Sequence, residues 1–333
     1  MIDARVETDW TYRNLKTIIL ENACLKVSIL PDVGSRIFEL IYKPSDRDFL
    51  YHHPRVEIRA PVFGANFDNY WTGGIDEAIP SCHACSYEGE DYGNLGEGWA
   101  LSWYSEILSR GGEEASIHLW RPMVIEPLLL EKSLTLKKDE AKLHIHHKIT
   151  NIGYLECKFD WGIHPALAVG PNSRIDLGAD DMEVEWSVPD DRLGKHGATY
   201  KWPYATDKSG KRVDVRKVLP PESKTVDLHY ATKLKEGWFA ITDTSAKEGI
   251  GMFFTKEVFR SIYLWMPYGG WRGQVYCVAP EPWTGYPSWL PKSIEKGVYS
   301  KLAPGETLEA DSILTVFTGR QEVSSIDAQG NVS

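Results

Sequence analysis

Residues 278–287, VAPEPWTGYP, hold one carboxylate, Glu281, between two prolines and close to Trp283 and Tyr286. Proline on each side confines the backbone to extended or turn geometry and removes two N–H donors, so this stretch reads as a strand end or loop. An acid held beside aromatic walls has the makeup of a carbohydrate site, where flat apolar faces stack on a pyranose ring and a few polar groups fix its hydroxyls. A surface turn whose tryptophan covers a core edge fits the segment alone equally well. His164 stands directly before Pro165 in the apolar run FDWGIHPALAV, residues 159–169, and taken alone it reads as a satisfied core histidine. A third group of candidates lies in residues 50–100: His52, His53, Trp71, Asp76, Glu77, Cys82, His83, Cys85, Glu97 and Trp99. Cys82-His83-Ala84-Cys85 has the spacing of a metal-binding pair, but no second pair exists, so a four-sulfur zinc site is excluded. A mixed site with His83 stays open; we read these residues instead as small neutral groups lining or underlying a pocket, with no metal.

The elements that must position these residues are strands. Residues 16–29 alternate Leu25, Val27 and Ile29 with Lys26 and Ser28, the period of a half-buried strand. Pro31 to Gly34 turn the chain, and RIFELIY, residues 36–42, returns as the second arm of a hairpin. Residues 50–100 are dense in Gly, Pro, Asn and aromatics without a helical stripe, and loops of such length are usually functional. Strand patterns recur at 116–120, 133–138 and 142–150, then at 238–241, 251–254, 261–265, 274–278 and 312–317. In the 142–150 stretch, His144 and His146 fall on the polar face, expected to be solvated. Residues 1–14 read as an entry segment without clear period, residues 189–221 as a charged excursion, and the end of the chain as a loose polar tail. No segment longer than a few turns shows helical periodicity. The expectation is an all-β protein, a large antiparallel sandwich formed as one domain over residues 1–320 with a tail at 321–333.

The 333 residues are 42% hydrophobic and 25% charged, the balance of a chain with a real core. Thirteen tryptophans and sixteen tyrosines depart from average and suit either a sugar site or a rigid core. A formal charge of −10, with both signs interspersed, argues against nucleic acid, whose binding needs basic patches. The start has no basic segment followed by an apolar run, and no apolar stretch reaches membrane length, so a soluble, cytoplasmic protein with no membrane partner is expected. Five cysteines are too few and odd in number for a disulfide framework, so reduced thiols are expected. Oligomeric state is left open, a homodimer being one option.

Read together, several segments resemble the aldose 1-epimerase, or galactose mutarotase-like, family. They are NACLKVSILPDVGSRIFEL (22–40), GGIDEAIPS (73–81), NLGEGWALSW (94–103), WGIHPALAV (161–169), APEPWTG (279–285) and LAPGET (302–307), in the family's order over residues 22–318. The resemblance implies a β-supersandwich with Glu281 as general base, His164 as general acid and Arg36 as a sugar-contacting arginine. Asp76, Glu77, His83, Glu97, Trp99 and Trp283 are further candidates for binding the sugar. Where the family has Asp-His-Gly-Glu, this chain has Asn94-Leu95-Gly96-Glu97, so a second histidine is replaced by Leu95; His83 could reach into that space. Interconverting anomers needs a base at the anomeric hydroxyl and an acid at the ring oxygen, each positioned group contributing about 10²- to 10⁴-fold, with no metal or cofactor. The expected partner is a monosaccharide or modified sugar. Two other readings compete: a sugar-binding protein that has lost catalysis, and a glycoside hydrolase or lyase using Glu97 and Glu281 as paired acids. Arg36, Arg260 and Arg272 could serve an anionic sugar or be ion-paired.

Overall fold

A computed structural model describes residues 3–333. Twenty-one strands join one antiparallel network, and two short pairs, Cys85–Tyr87 with Glu90–Tyr92 and Cys157–Phe159 with Ser300–Leu302, stand apart. The fold is the expected large antiparallel β-sandwich; its one α-helix among the described residues, Leu290–Lys296, ends on Gly297 in the left-handed region. No helix of the described residues is long and apolar enough to cross a membrane.

The hairpin read from the sequence forms as Leu25–Leu30 against Arg36–Tyr42, with Leu25 opposite Tyr42 and Val27 opposite Leu40. Leu25, Val27 and Ile29 are wholly buried, as alternation demands. The Ala4–Tyr12 strand was not legible: beyond Val6 its residues are half-buried or exposed, and its pairing with Leu15–Glu21 shifts register between Glu7 and Trp10. Ser173–Val188, sixteen residues long, was missed too, because repeated register shifts against Thr225–Asp243 break its period of two. Residues 189–221 fold back as short hairpins, and Leu193, Ala205, Val215 and Val218 join the main core.

The end of the chain is not loose. Val323 and Ile326 are buried against Trp238, Ala240 and Phe317, and the Val323 N–H donates to Asp176 Oδ2 at 3.1 Å. Two apolar side chains among polar neighbours suffice to dock a segment whose composition suggested solvent.

The site is framed by four strands. Gly162–Ala168 pairs on one edge with Gly74–Ala78, His164 opposite Asp76, and on the other with Cys277–Trp283. Cys277–Trp283 pairs in turn with Ser261–Tyr268, Glu281 opposite Tyr263. Between the Gly162–Trp283 and Leu167–Val278 partners, the ladder joining Gly162–Ala168 to Cys277–Trp283 is interrupted. Pro165, Pro280 and Pro282 lie in this interval, and a proline has no N–H to give a ladder. The prolines flanking Glu281 thus sit inside a buried strand, and the interruption they cause is where Glu281 and His164 face each other.

Candidate functional site

Register partners share a face of a sheet. On one face therefore run Asp76 and His164, Glu281 with Tyr263 and Tyr230, and Trp265 with Leu228 and Trp186. Phe67, Asp68, Trp71, Cys82, His83, Asn94 and Leu95 join that face to bound a cavity of about 680 Å³, its open mouth included, lined also by Glu281, His164, Leu228, Trp186, Trp265 and Trp271.

His164 Nε2 and Glu281 Oε1 are 3.6 Å apart, with both side chains almost completely buried. Glu281 Oε2 accepts a hydrogen bond from the Trp283 indole N–H at 2.9 Å. Burial pushes the Glu281 carboxyl up to about 8, against the smaller opposing effect of the Trp283 bond. Burial likewise pushes His164 down to about 4, and the Arg36 charge acts in the same direction. Each member is driven toward its neutral form because a lone charge in this setting lacks water and an adequate partner. Between those two values the pair holds one proton.

Trp283 orients this arrangement from behind. Its ring is wholly buried, stacks on Tyr263 with centroids 4.9 Å apart, and crosses Gly162 so closely that a Cβ there would lie 2.3 Å from the indole. Only glycine permits that approach.

The other residues singled out from the sequence divide clearly. His83 lines the cavity, stacked on Trp186 at 5.4 Å and pushed down to about 4 by burial. Arg36 does not line it: fully buried, its Nε donates to Asp76 Oδ1 and its Nη1 to Thr72 Oγ1, both at 2.7 Å, with Nη2 unpartnered. Asp76 is thereby the buried counter-ion of Arg36 through Oδ1, with its Oδ2 unpartnered. Glu77 points to the opposite face, where Lys132 at 3.2 Å, His147 at 3.0 Å and the Trp161 indole at 3.1 Å surround it. Glu97 accepts from the backbone N–H groups of Val124, Ile125 and Glu126. With its oxygens so occupied outside the cavity, Glu97 cannot serve with Glu281 as a hydrolytic pair. Trp99 is core, its indole bound to the Gly96 carbonyl, and Trp283 holds Glu281 rather than walling the cavity.

The three arginines are tied as well, Arg260 to the Tyr299 carbonyl and Ser300, and Arg272 to the Asp68 carbonyl and Asn69. All five cysteines are free, and among the described residues no group of three or more His, Cys, Asp or Glu side chains is arranged to hold a metal. His144 and His146 pair with Glu140 and Asp311. Sequence reasoning missed Phe67, Asp68, Trp186, Leu228 and Trp265. Only Trp265 carried a signal, as the ring at the end of an alternating strand.

A family described as a domain of unknown function, DUF5107, matches residues 5–90. Among solved structures, a candidate aldose 1-epimerase from Klebsiella pneumoniae subsp. pneumoniae superposes with a TM-score of 0.70 at 12% identity, covering 94% of this chain and 83% of that one. A galactose mutarotase-like protein from Clostridium acetobutylicum gives 0.65 at 13%, covering 95% and 99%. A TPR-domain containing protein from Parabacteroides distasonis gives 0.67 at 15%, covering 94% of this chain but 48% of the longer one. The fold is therefore that of the galactose mutarotase-like proteins, as the sequence motifs implied. At these identities the likeness speaks for fold alone.

Proposed function

We propose that this chain is a carbohydrate epimerase that interconverts the anomers of a free or modified aldose, with Glu281 and His164 as its proton-transfer pair. The observation that carries this reading is the 3.6 Å approach of a buried carboxyl and a buried imidazole within one aromatic cavity. One member takes the proton of the anomeric hydroxyl as the C1–O bond becomes a carbonyl. The C1–O5 bond breaks with its electrons on O5, which takes a proton from the other member. Rotation about C1–C2 and the reverse steps close the ring on the other face. The pair begins and ends each half-cycle with one proton, so no external acid or base is consumed.

Burial favours the proton on Glu281 in the empty site. With Glu281 beside O1, that is the distribution met by the open-chain aldehyde; the pyranose needs the proton on His164, and the short separation allows the transfer. The roles implied by the family resemblance, Glu281 as base and His164 as acid, then describe the ring-closed complex. The test is exchange NMR or polarimetry on freshly dissolved single anomers. Faster equilibration than buffer, abolished in Glu281→Gln, is expected; equilibration at the buffer rate across a panel of aldoses would sink the reading. Leu95, where the family has a histidine, favours a second reading, a sugar-binding protein without catalysis. Saturable binding with no acceleration in the same experiment would establish it.

A further inference from the structure

Beside the proton-transfer pair, three buried polar atoms find no hydrogen-bond partner among the described residues: His164 Nδ1, Asp76 Oδ2 and Arg36 Nη2. The strands bring them together. His164 and Asp76 are direct partners across an antiparallel ladder, so their side chains share a face with Cβ atoms about 4.5–5.5 Å apart. Gly74 takes the next position on that face, and the Arg36 side chain crosses it so closely that a Cβ there would lie 3.2 Å from Arg36 Cδ. Its Nε donates to Asp76 Oδ1 at 2.7 Å. In the planar guanidinium Nε and Nη2 share an edge, so Nη2 lies beside the same carboxyl.

These atoms complement one another. Arg36 Nη2 only donates and the Asp76 carboxylate only accepts, while an imidazole nitrogen does either. Asp76 is ionised although burial pushes its carboxyl up: Arg36 is always charged, is fully buried, and has in Asp76 its one carboxylate partner among the described residues. At the far end of the imidazole, Nε2 faces Glu281 Oε1 at 3.6 Å, and in the empty site that carboxyl holds the pair's proton. A carboxylic acid donates, so Nε2 is bare and the ring carries its proton on Nδ1. That Nδ1–H then needs an acceptor, and Asp76 Oδ2 is the unpartnered acceptor across the ladder.

We propose that Asp76 is a positioning residue for the proton-transfer pair: one water accepts from His164 Nδ1–H and Arg36 Nη2–H and donates to Asp76 Oδ2, fixing the tautomer that leaves Nε2 free to take a proton. This rests on the epimerase reading above. Three bonds are what a buried water commonly makes, and here they satisfy all three atoms. When the proton passes from Glu281 to Nε2 the ring becomes a cation, its Nδ1–H stays on the water, and the Asp76 charge offsets the new positive charge. Arg36 acts one step further out, holding Asp76 by Oδ1 so that Oδ2 is left for His164.

Proton–nitrogen correlation spectra of histidine-labelled protein, taken at a pH between about 4 and about 8 where His164 is neutral, read the tautomer directly, with His164→Asn as the blank. Nδ1–H with a bare Nε2 is expected; a proton on Nε2 would overturn the proposal. Arg36→Met/Asp76→Leu removes both charges and the acceptor together, and exchange NMR should show kcat down by about 10²-fold with KM little changed. Arg36→Met/Asp76→Asn removes the charges but returns an acceptor, and should recover the tautomer and part of the rate. A merely structural ion pair would rank the two double variants alike, so equal rates in them would overturn the proposal. If neither double variant folds, the wild-type spectrum decides. No acceleration of any aldose, with Nδ1–H present in the wild type and lost in Arg36→Met/Asp76→Leu, would overturn the epimerase reading and leave the hold of Asp76 on His164 standing.

Discussion

Two buried carboxylate–imidazole pairs lie close together in this protein, on opposite faces of adjacent strands. Glu77 meets His147 at 3.0 Å, and Lys132 and Trp161 add a charge and a donor; it is held far below the usual carboxylate range because these partners outweigh the effect of burial. Glu281 meets His164 at 3.6 Å with only the Trp283 indole besides, and it is pushed up to about 8 because burial wins. The same residue types thus yield a permanent charge in one place and a transferable proton in the other. The difference lies in the number of compensating partners: two basic side chains and a donor fix the first, while the second has, besides its imidazole, only the Trp283 indole.

The comparison breaks most visibly if either reactive group can be removed without consequence. Glu281→Gln and His164→Asn should each slow anomer exchange by about 10²- to 10⁴-fold. Neither should destabilise the fold. For Glu281 the sign is specific: its folded value is raised, so the stability it contributes is full below the unfolded value near 4.3 and is lost as pH rises toward about 8. Glu281→Gln should therefore match the wild-type protein in urea unfolding at pH 4 and exceed it at pH 8.

The opposite behaviour is expected at the compensated pair. Lys132→Met removes one of the cations holding the Glu77 carboxylate and should cost about 3–5 kcal/mol in unfolding free energy, since a buried charge loses its partner. Because Glu77 is held low, its stabilising contribution is present above the unfolded value and lost in acid. The wild-type advantage over this variant should thus shrink as pH falls below about 4. An equal loss at every pH would mean that Lys132 acts through packing against Trp103, with which it makes a cation–π contact at 5.4 Å.

The pH dependence of exchange sharpens the same contrast. The reactive pair holds one proton between about 4 and about 8, so kcat/KM should be bell-shaped across that window. Below it both groups are protonated and no base remains; above it both are deprotonated and no acid remains. The apparent values belong to the pair rather than to either side chain. A profile with a single limb would remove one member from the mechanism.

Much of this contrast could be read in the chain, but not its sidedness. Glu281 between prolines and His164 before one marked themselves, and the same prolines open the ladder between the two strands. The hairpin of Leu25–Leu30 and Arg36–Tyr42 announced itself by period two. Asp76 and Glu77 did not: all five residues of Gly74–Ala78 are buried, so no alternation in polarity tells which carboxylate pairs with Arg36 and which with Lys132 and His147. Glu97 looked like a ligand because a sequence cannot show that three backbone N–H groups already surround it. Trp186 and Leu228 come from long strands whose bulges hide their register. The buried end of the chain escaped notice because two apolar residues leave no periodic pattern.

The smallest expected effect concerns the one donor that the reactive pair does possess. Trp283 touches the cavity chemistry only through Glu281, so it is a positioning residue, and Trp283→Phe keeps a large ring over Gly162 while deleting the indole N–H. That bond favours the ionised carboxylate, so without it the alkaline limb of the exchange profile should move up by about one unit. The rate at the optimum should fall by about tenfold, with KM little changed, because the carboxyl keeps its place but loses its fixed orientation. A purely structural role would lower stability and leave the alkaline limb where it stands. An infrared difference spectrum in the carboxylic acid region, with Glu281→Gln as the blank, follows the same titration without turnover. If the acid band of Trp283→Phe bleaches at the wild-type pH, the indole contributes nothing to the poise of Glu281, and the shortage of partners that separates it from Glu77 is complete.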